Sequence, residues 1–234
     1  IAFLASHQGR KHTMPAQLCV WEAETGSWTV ESGEWDHELM APLLWEEDGQ
    51  ALLFSAEQQG RQHLWRFDLP DRRAELLVHG GSVNAFDKRA GTLVTLSDSA
   101  AHPARVHAHL PGEKPRRIES FNDRVLAGVR LGHTEEQWFE GALGDPVQMW
   151  LSYPPGFDAK KRYPLLHVIH GGPHAAAGDG WHYRWSTAAF AAMGYVVCSV
   201  NYPGSSGFGY AFLDSITQRY GQLELQDIEA ATDL

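Results

Sequence analysis

Cysteine is scarce in this chain, with two in 234 residues, Cys19 and Cys198. Each lies in a strand-like run, QLCVW and YVVCSV. Buried reduced thiols are therefore expected, and a disulfide framework is not. Long apolar runs are also missing: none reaches the length that spans a bilayer, so no membrane-crossing helix is expected. Positive charge is in short supply, with 19 Lys plus Arg against 29 Asp plus Glu and a formal charge of -10. A nucleic-acid partner would call for a basic surface, so none is expected. The chain starts IAFLAS, inside an expected strand and without Met. The missing signal sequence therefore says nothing about compartment, and a cytoplasmic location is carried only as an expectation.

Helical periodicity is nearly absent before about residue 180. What stands in its place is a series of short strands, among them IAFLA, QLCVWEA, PLLWEE, ALLFSA, HLWRFDL, GTLVTLS and RVHAHL. Turn residues separate them, at Glu24-Thr25-Gly26, Asp48-Gly49, Gly80-Gly81 and Ala90-Gly91. The nine tryptophans suit strand packing or aromatic-lined pockets. A weak repeat places Trp21, Trp65 and His107 at matching points, about forty to forty-five residues apart, the length of one four-stranded propeller blade. About three blades are expected, a partial β-propeller, with a β-sandwich as the alternative.

The rhythm changes from about residue 133. EQWFEGALGDPVQMWLSYPPGFD reads as a hairpin turning at Gly144-Asp145. KKRYPLLHVIHGG follows, a strand with few polar interruptions, as expected when both faces are covered. Its LLHVI segment is expected to be central in the sheet and parallel to YVVCSV. RWSTAAFAAMG has helical spacing with Gly194 as its stop, and YAFLDSITQRYG and LELQDIEAATDL read as amphipathic helices. In the last, Leu225, Ile228 and Ala231 are expected on the buried side. Strand, helix, strand, helix with apolar strands predicts an α/β unit. The expected organisation is propeller blades over residues 1–130 and the first part of an α/β-hydrolase domain over residues 131–234.

The Gly-Gly pair after an apolar strand lets backbone N–H groups point into a cleft without side-chain hindrance. Such groups stabilise the oxyanion of acyl transfer, and one donor is worth about 3 kcal/mol. A tight turn with no catalytic role is the alternative. Three stretches, PPGFDAKKRYPLLHVIHGGPH, FAAMGYVVCSVNYPGSSGFGYAF and YGQLELQDIEAATDL, resemble the S9 (prolyl oligopeptidase) family of serine peptidases, especially its acylaminoacyl-peptidase and dipeptidyl-peptidase-like members. The resemblance covers Pro154–Leu234 and implies a propeller before an α/β-hydrolase domain.

It further implies that Gly172 supplies an oxyanion-hole N–H, that Gly171 permits the approach, and that His170, Pro173 and His174 form the pocket wall. Pro203 stands where the family's Asn-x-Arg-Gly-Ser loop carries Arg. The family's nucleophile sits in a Gly-x-Ser-x-Gly elbow, and none is present: Ser206 has Gly204 two before it but Phe208 two after. The nucleophile, acid and base are thus expected beyond Leu234, in the order Ser, Asp, His. The activity implied is oligopeptide hydrolysis through an acyl-enzyme, with short peptides as substrate, no cofactor and room for a homo-oligomer. The 234 residues alone are expected to be inactive. A non-catalytic propeller that binds proteins and a carboxylesterase of the same fold are the rival functions.

Two further clusters carry less. His167, His170, His174 and His182 lie close in sequence, but strand parity sends the first two to opposite faces, and no zinc-motif spacing is present. No metal is expected. Glu46 and Glu47, and likewise Glu135 and Glu136, are read as solvated turn or edge residues rather than as anchors for a substrate amine.

Overall fold

A computed structural model describes residues 1–6 and 15–234. The first sheet is a small antiparallel one, β1 (Ala2–Ala5), β2 (Gln17–Trp21) and β3 (Trp28–Val30). Next comes a four-stranded antiparallel meander, β4 (Leu39–Trp45), β5 (Ala51–Gln58), β6 (Arg61–Asp68) and β7 (Arg73–Val78). A second meander repeats the pattern with β8 (Ser82–Arg89), β9 (Thr92–Ser99), β10 (His102–His109) and β11 (Arg116–Arg117). One parallel pair, Gln62 with Ser82, joins the two meanders into a single sheet. Trp21, Trp65 and His107 each lie on the strand that pairs with the closing strand of its unit, so the repeat read from the sequence is structurally in phase.

The unbroken apolar run of β5 follows from its position. Leu52, Phe54 and Ala56 pack with Leu18 of the preceding sheet. Leu53, on the opposite face, packs with Val83 and Leu93 of the following meander. A strand covered on both faces needs apolar residues at every position, whereas one with a wet face alternates.

A short helix, α1 (Asp123–Leu126), leads to the last sheet. This contains β12 (Thr134–Glu140), β13 (Pro146–Ser152), β14 (Leu165–His167) and, after helix α2 (Thr187–Ala192), β15 (Val196–Asn201). Helices α3 (Tyr210–Asp214) and α4 (Leu223–Asp233) follow. The sheet order is β12-β13-β15-β14, antiparallel except for the β14–β15 pair. Period-two alternation divides it into two faces. Val147, Met149, Cys198 and Val200 join Tyr202, Ile216 and Ala231 in a core under α4. Gln148, Trp150, Ser199 and Asn201 fall on the other face.

Three expectations need correction. LLHVI does pair in parallel with YVVCSV, but among the described residues β14 is the last strand of its sheet and not a central one. It is three residues long, with Leu165 39% and Ile169 57% exposed, so one flank of this run is open where two covered faces were expected. The YAFLDSITQRYG helix ends at Asp214. The buried positions of α4 are Leu223, Asp227 and Ala231, and Leu225 is 53% exposed. Asp227 takes the inward place because its Oδ1 accepts the Ala142 N–H at 2.7 Å, fastening the turn between β12 and β13.

Candidate functional site

The backbone leaves β14 at His167, and Val168 still donates to Cys198 O at 2.9 Å. The His-Gly-Gly-Pro turn then opens. Gly172 has φ +138, and a Cβ there would lie 2.8 Å from the His174 nitrogen, so glycine is required by both conformation and space. Among the described residues neither the Gly171 nor the Gly172 amide donates a hydrogen bond, and both glycines are exposed. Gly171 and His170 line a cavity of about 780 Å³ between the last sheet and the two meanders. Of the two unengaged amides, that of Gly171 belongs to a residue lining the cavity, while Gly172 lies outside its lining; an unengaged backbone donor at such a place is what an anionic oxygen requires.

The side chains around this turn hold it. The His170 ring stacks on Tyr202, with centroids 4.4 Å apart. Its Nε2 lies 3.0 Å from Ser205 Oγ, and that hydroxyl donates to Tyr202 O at 2.7 Å. The hydroxyl thus has two acceptors within reach, Tyr202 O and, in one tautomer of the ring, His170 Nε2. Burial holds the His170 imidazole below its ordinary value, with the Gly171 carbonyl acting the other way. The ring is therefore neutral at neutral pH, a pin between two loops. His174 Nδ1 reaches Gly204 O at 3.1 Å and ties the same two loops further along. Pro203 is buried.

The four clustered histidines diverge. His167 Nε2 bonds Thr232 of α4, His170 bonds Ser205, His174 bonds Gly204, and His182 Nδ1 accepts the amides of Arg184 and Trp185. Among the described residues no group of three or more His, Cys, Asp or Glu is placed to hold a metal.

The opposite wall of the cavity comes from the meanders, which the sequence reading had left out. Glu57, Arg61, Asn84 and Asp98 line it. Glu57 Oε2 accepts the Ser206 hydroxyl at 2.5 Å. Burial raises its carboxyl above the ordinary range; the Ser206 bond opposes this and the Glu38 charge adds to it. Asp98 accepts the Trp181 amide at 2.9 Å and the Asn84 side chain at 2.7 Å. Arg61 pairs with Glu136 at 2.6 Å and lies over the Trp150 ring at 4.7 Å.

Glu136 is thus no solvated edge residue. Burial pushes its carboxyl up, but donors from Gln148, Arg61 and Trp138 outweigh it and hold the group below the ordinary value. Glu46 is also engaged, with both oxygens 2.7 Å from Lys88 Nζ, and Glu47 accepts the Ala90 amide. These carboxylates pair with groups far away in the chain, which local sequence cannot announce.

A sequence profile described as "Prolyl oligopeptidase family" (Peptidase_S9) matches residues 181–234. Dipeptidyl-peptidase 5 of Aspergillus fumigatus is 34% identical over 206 residues, covering 84% of this chain and 28% of that protein. The dipeptidyl-peptidase 5 of Schizosaccharomyces pombe is 28% identical over 240 residues, 100% of this chain and 34% of its own length. The chain therefore spans about a third or less of these relatives. Among solved structures, the acylaminoacyl peptidase of Pyrococcus horikoshii superposes with a TM-score of 0.78 at 20% identity, over 92% of this chain and 33% of that one. A dipeptidyl peptidase 4 of Porphyromonas gingivalis gives 0.66 at 19% identity, over 92% and 31%. The superpositions concern the fold, and the profile match covers α2, β15, α3 and α4, beyond the Gly-Gly turn. By these matches the chain belongs to the prolyl oligopeptidase family, S9.

Proposed function

We propose that this chain is part of a serine peptidase that hydrolyses oligopeptides through an acyl-enzyme, and that its Gly171-Gly172 turn is the oxyanion wall of that site. The observation that carries the reading is the Gly171-Gly172 turn, whose two amides are unengaged among the described residues and whose Gly171 lines the cavity. In this reading Gly172 is the main donor, Gly171 permits the approach, and His170, Pro173 and His174 form the wall. The serine nucleophile, its acid and its base lie outside these 234 residues, because Ser205 and Ser206 are both engaged elsewhere. The three antiparallel units of the first half are blades of a β-propeller, and residues 131–234 are the first part of an α/β-hydrolase domain. The stacked cores on both faces of β5 support that arrangement, since neighbouring blades bury each other's faces. Relatives named as dipeptidyl-peptidases support a peptide substrate.

The test uses the full-length protein that contains this chain. It should react with a fluorophosphonate probe and hydrolyse chromogenic peptides. Gly172→Ala should lower kcat by about a hundredfold, the scale of one lost oxyanion donor. Hydrolysis of simple esters without peptides would favour the carboxylesterase. No labelling and no turnover would favour a binding propeller.

A further inference from the structure

The β5–β6 hairpin ends in a two-residue turn, Gln59-Gly60, with φ 50 and 68. Positive φ at both positions marks the tight turn that suits the twist of paired strands. Gly60 of this tip is buried, while Gln59 stays exposed. Gln59 N donates to Gly207 O at 3.0 Å, Gln59 O accepts Gln148 Nε2 at 2.9 Å, and Gly60 O accepts the Asp179 amide at 2.8 Å. A Cβ on Gly60 would lie 2.7 Å from Trp150 Nε1, 2.8 Å from Ala177 O and 2.9 Å from Gln148 Oε1. The tip of a meander is therefore seated against the last sheet and its loops as a plug, with Gln59 N, Gln59 O and Gly60 O all bonded there.

The seat continues into the chain of the Gly-Gly turn. Gln148 and Asn201 are opposite each other in the β13–β15 ladder and both are fully buried. Asn201 Nδ2 donates to Gln148 Oε1 at 2.7 Å and to Ala177 O at 2.9 Å, while its Oδ1 accepts the Ala177 amide at 2.7 Å. Ala177 is thus clasped on both backbone groups by one side chain. Gln148 Nε2 is shared between Gln59 O and Glu136 Oε1, and Glu136 holds Arg61, the residue after the tip. Two buried amides, each with definite donor and acceptor ends, link the docked tip to the loop six residues beyond Gly171. Buried networks of this kind specify one arrangement because breaking any member leaves a desolvated group unpaired.

We infer that the β5–β6 tip, acting through Gln148 and Asn201, positions the Gly171–Ala177 loop, so that the oxyanion donors are held in place by the docking of the first half on the second. Gln148, Asn201 and Gly60 are positioning residues; none touches the reacting atoms. The catalytic consequence rests on the peptidase reading above, whereas the mechanical coupling does not.

The experiment uses the full-length protein and two variants. Gln148→Glu keeps the acceptor for Asn201 but sets a carboxylate oxygen against two acceptors, Gln59 O and Glu136. Gly60→Ala leaves every relay side chain intact and unseats the tip by its Cβ, so it carries the same test should the first variant not fold. Hydrogen exchange is read at the Asp179 amide, which reports docking, and at the Ala177 amide, which reports the loop. The expected result is faster exchange at both, with kcat lower by about tenfold and KM within about twofold, as for donors displaced by a fraction of an ångström. Faster exchange at Asp179 with Ala177 and kcat unchanged would overturn the inference, as would no change at either amide. Faster exchange at both in a protein that neither labels with fluorophosphonate nor hydrolyses peptides would uphold the coupling and overturn the peptidase reading.

Discussion

Asp227 shows how one buried residue shapes both a helix face and a pH response. Its Oδ1 is bonded to Ala142 N, while its Oδ2 is buried without a partner among the described residues. Burial raises its carboxyl above the ordinary 3.8, and the Ala142 bond only partly offsets this. A carboxyl with a raised folded value favours the fold most below its unfolded value, and that contribution is lost as pH rises through the folded value. Asp227→Asn removes the charge while keeping an acceptor for Ala142. Its unfolding midpoint should therefore gain on the wild type as pH rises from about 4; a gap that narrows as pH rises would contradict the assignment. Legibility at this scale was uneven. The Gly-Gly pair advertises itself, because only glycine suits the backbone there. Gln148, Glu136 and Asn201 do not, since their meaning lies in partners 12 to 89 residues away. An Asp in a helix face is ordinarily read as solvated, and so Leu225 was assigned inward in its neighbourhood.

At the scale of elements, alternation and turn residues announced nearly every strand, including the β12–β13 hairpin with Gly144 at its turn. The misreadings fall where an element's state depends on what covers it. β14 has the apolar composition of an interior strand, yet only β15 pairs with it among the described residues. The α3 segment carries helical spacing through Tyr220, but Ile216 is drawn under the sheet core and the chain turns there instead. The start of α2 was better specified. Ser186 has extended φ and ψ, and its Oγ accepts the Ala189 amide at 3.2 Å. A six-residue helix has few internal bonds to spare. Ser186→Ala should cost about 1 kcal/mol of stability, read from denaturant midpoints. Ser186→Asp should retain most of it, because a carboxylate accepts the same N–H and favours the positive end of the helix.

At the scale of the whole molecule, the first half and the last sheet share a cavity wall and a plug, so neither can be understood as a spacer for the other. The two-part rhythm was visible in the sequence; the contact between the parts was not, because it runs through a Gln-Gln-Gly turn with no unusual composition. The same scale decides what these 234 residues do alone. Acyl transfer needs an accessible serine oxygen and a base free to take its proton. Ser205 and His170 have the distance of such a pair, 3.0 Å, but not its accessibility. Ser205 has no exposed surface, and Tyr202 O at 2.7 Å competes with His170 for its proton. Ser206 gives its proton to Glu57. The 234-residue chain produced by itself should therefore show no fluorophosphonate labelling and no peptide or ester hydrolysis, even where its Gly-Gly turn is formed. It should also self-associate, because β14 presents an unpaired strand edge beside the exposed side chains of Leu165 and Ile169. Intact-mass analysis after probe treatment and size-exclusion chromatography are the measurements. Stoichiometric addition at Ser205 would mean that the loop opens and His170 takes its proton, and would move the catalytic centre into this chain.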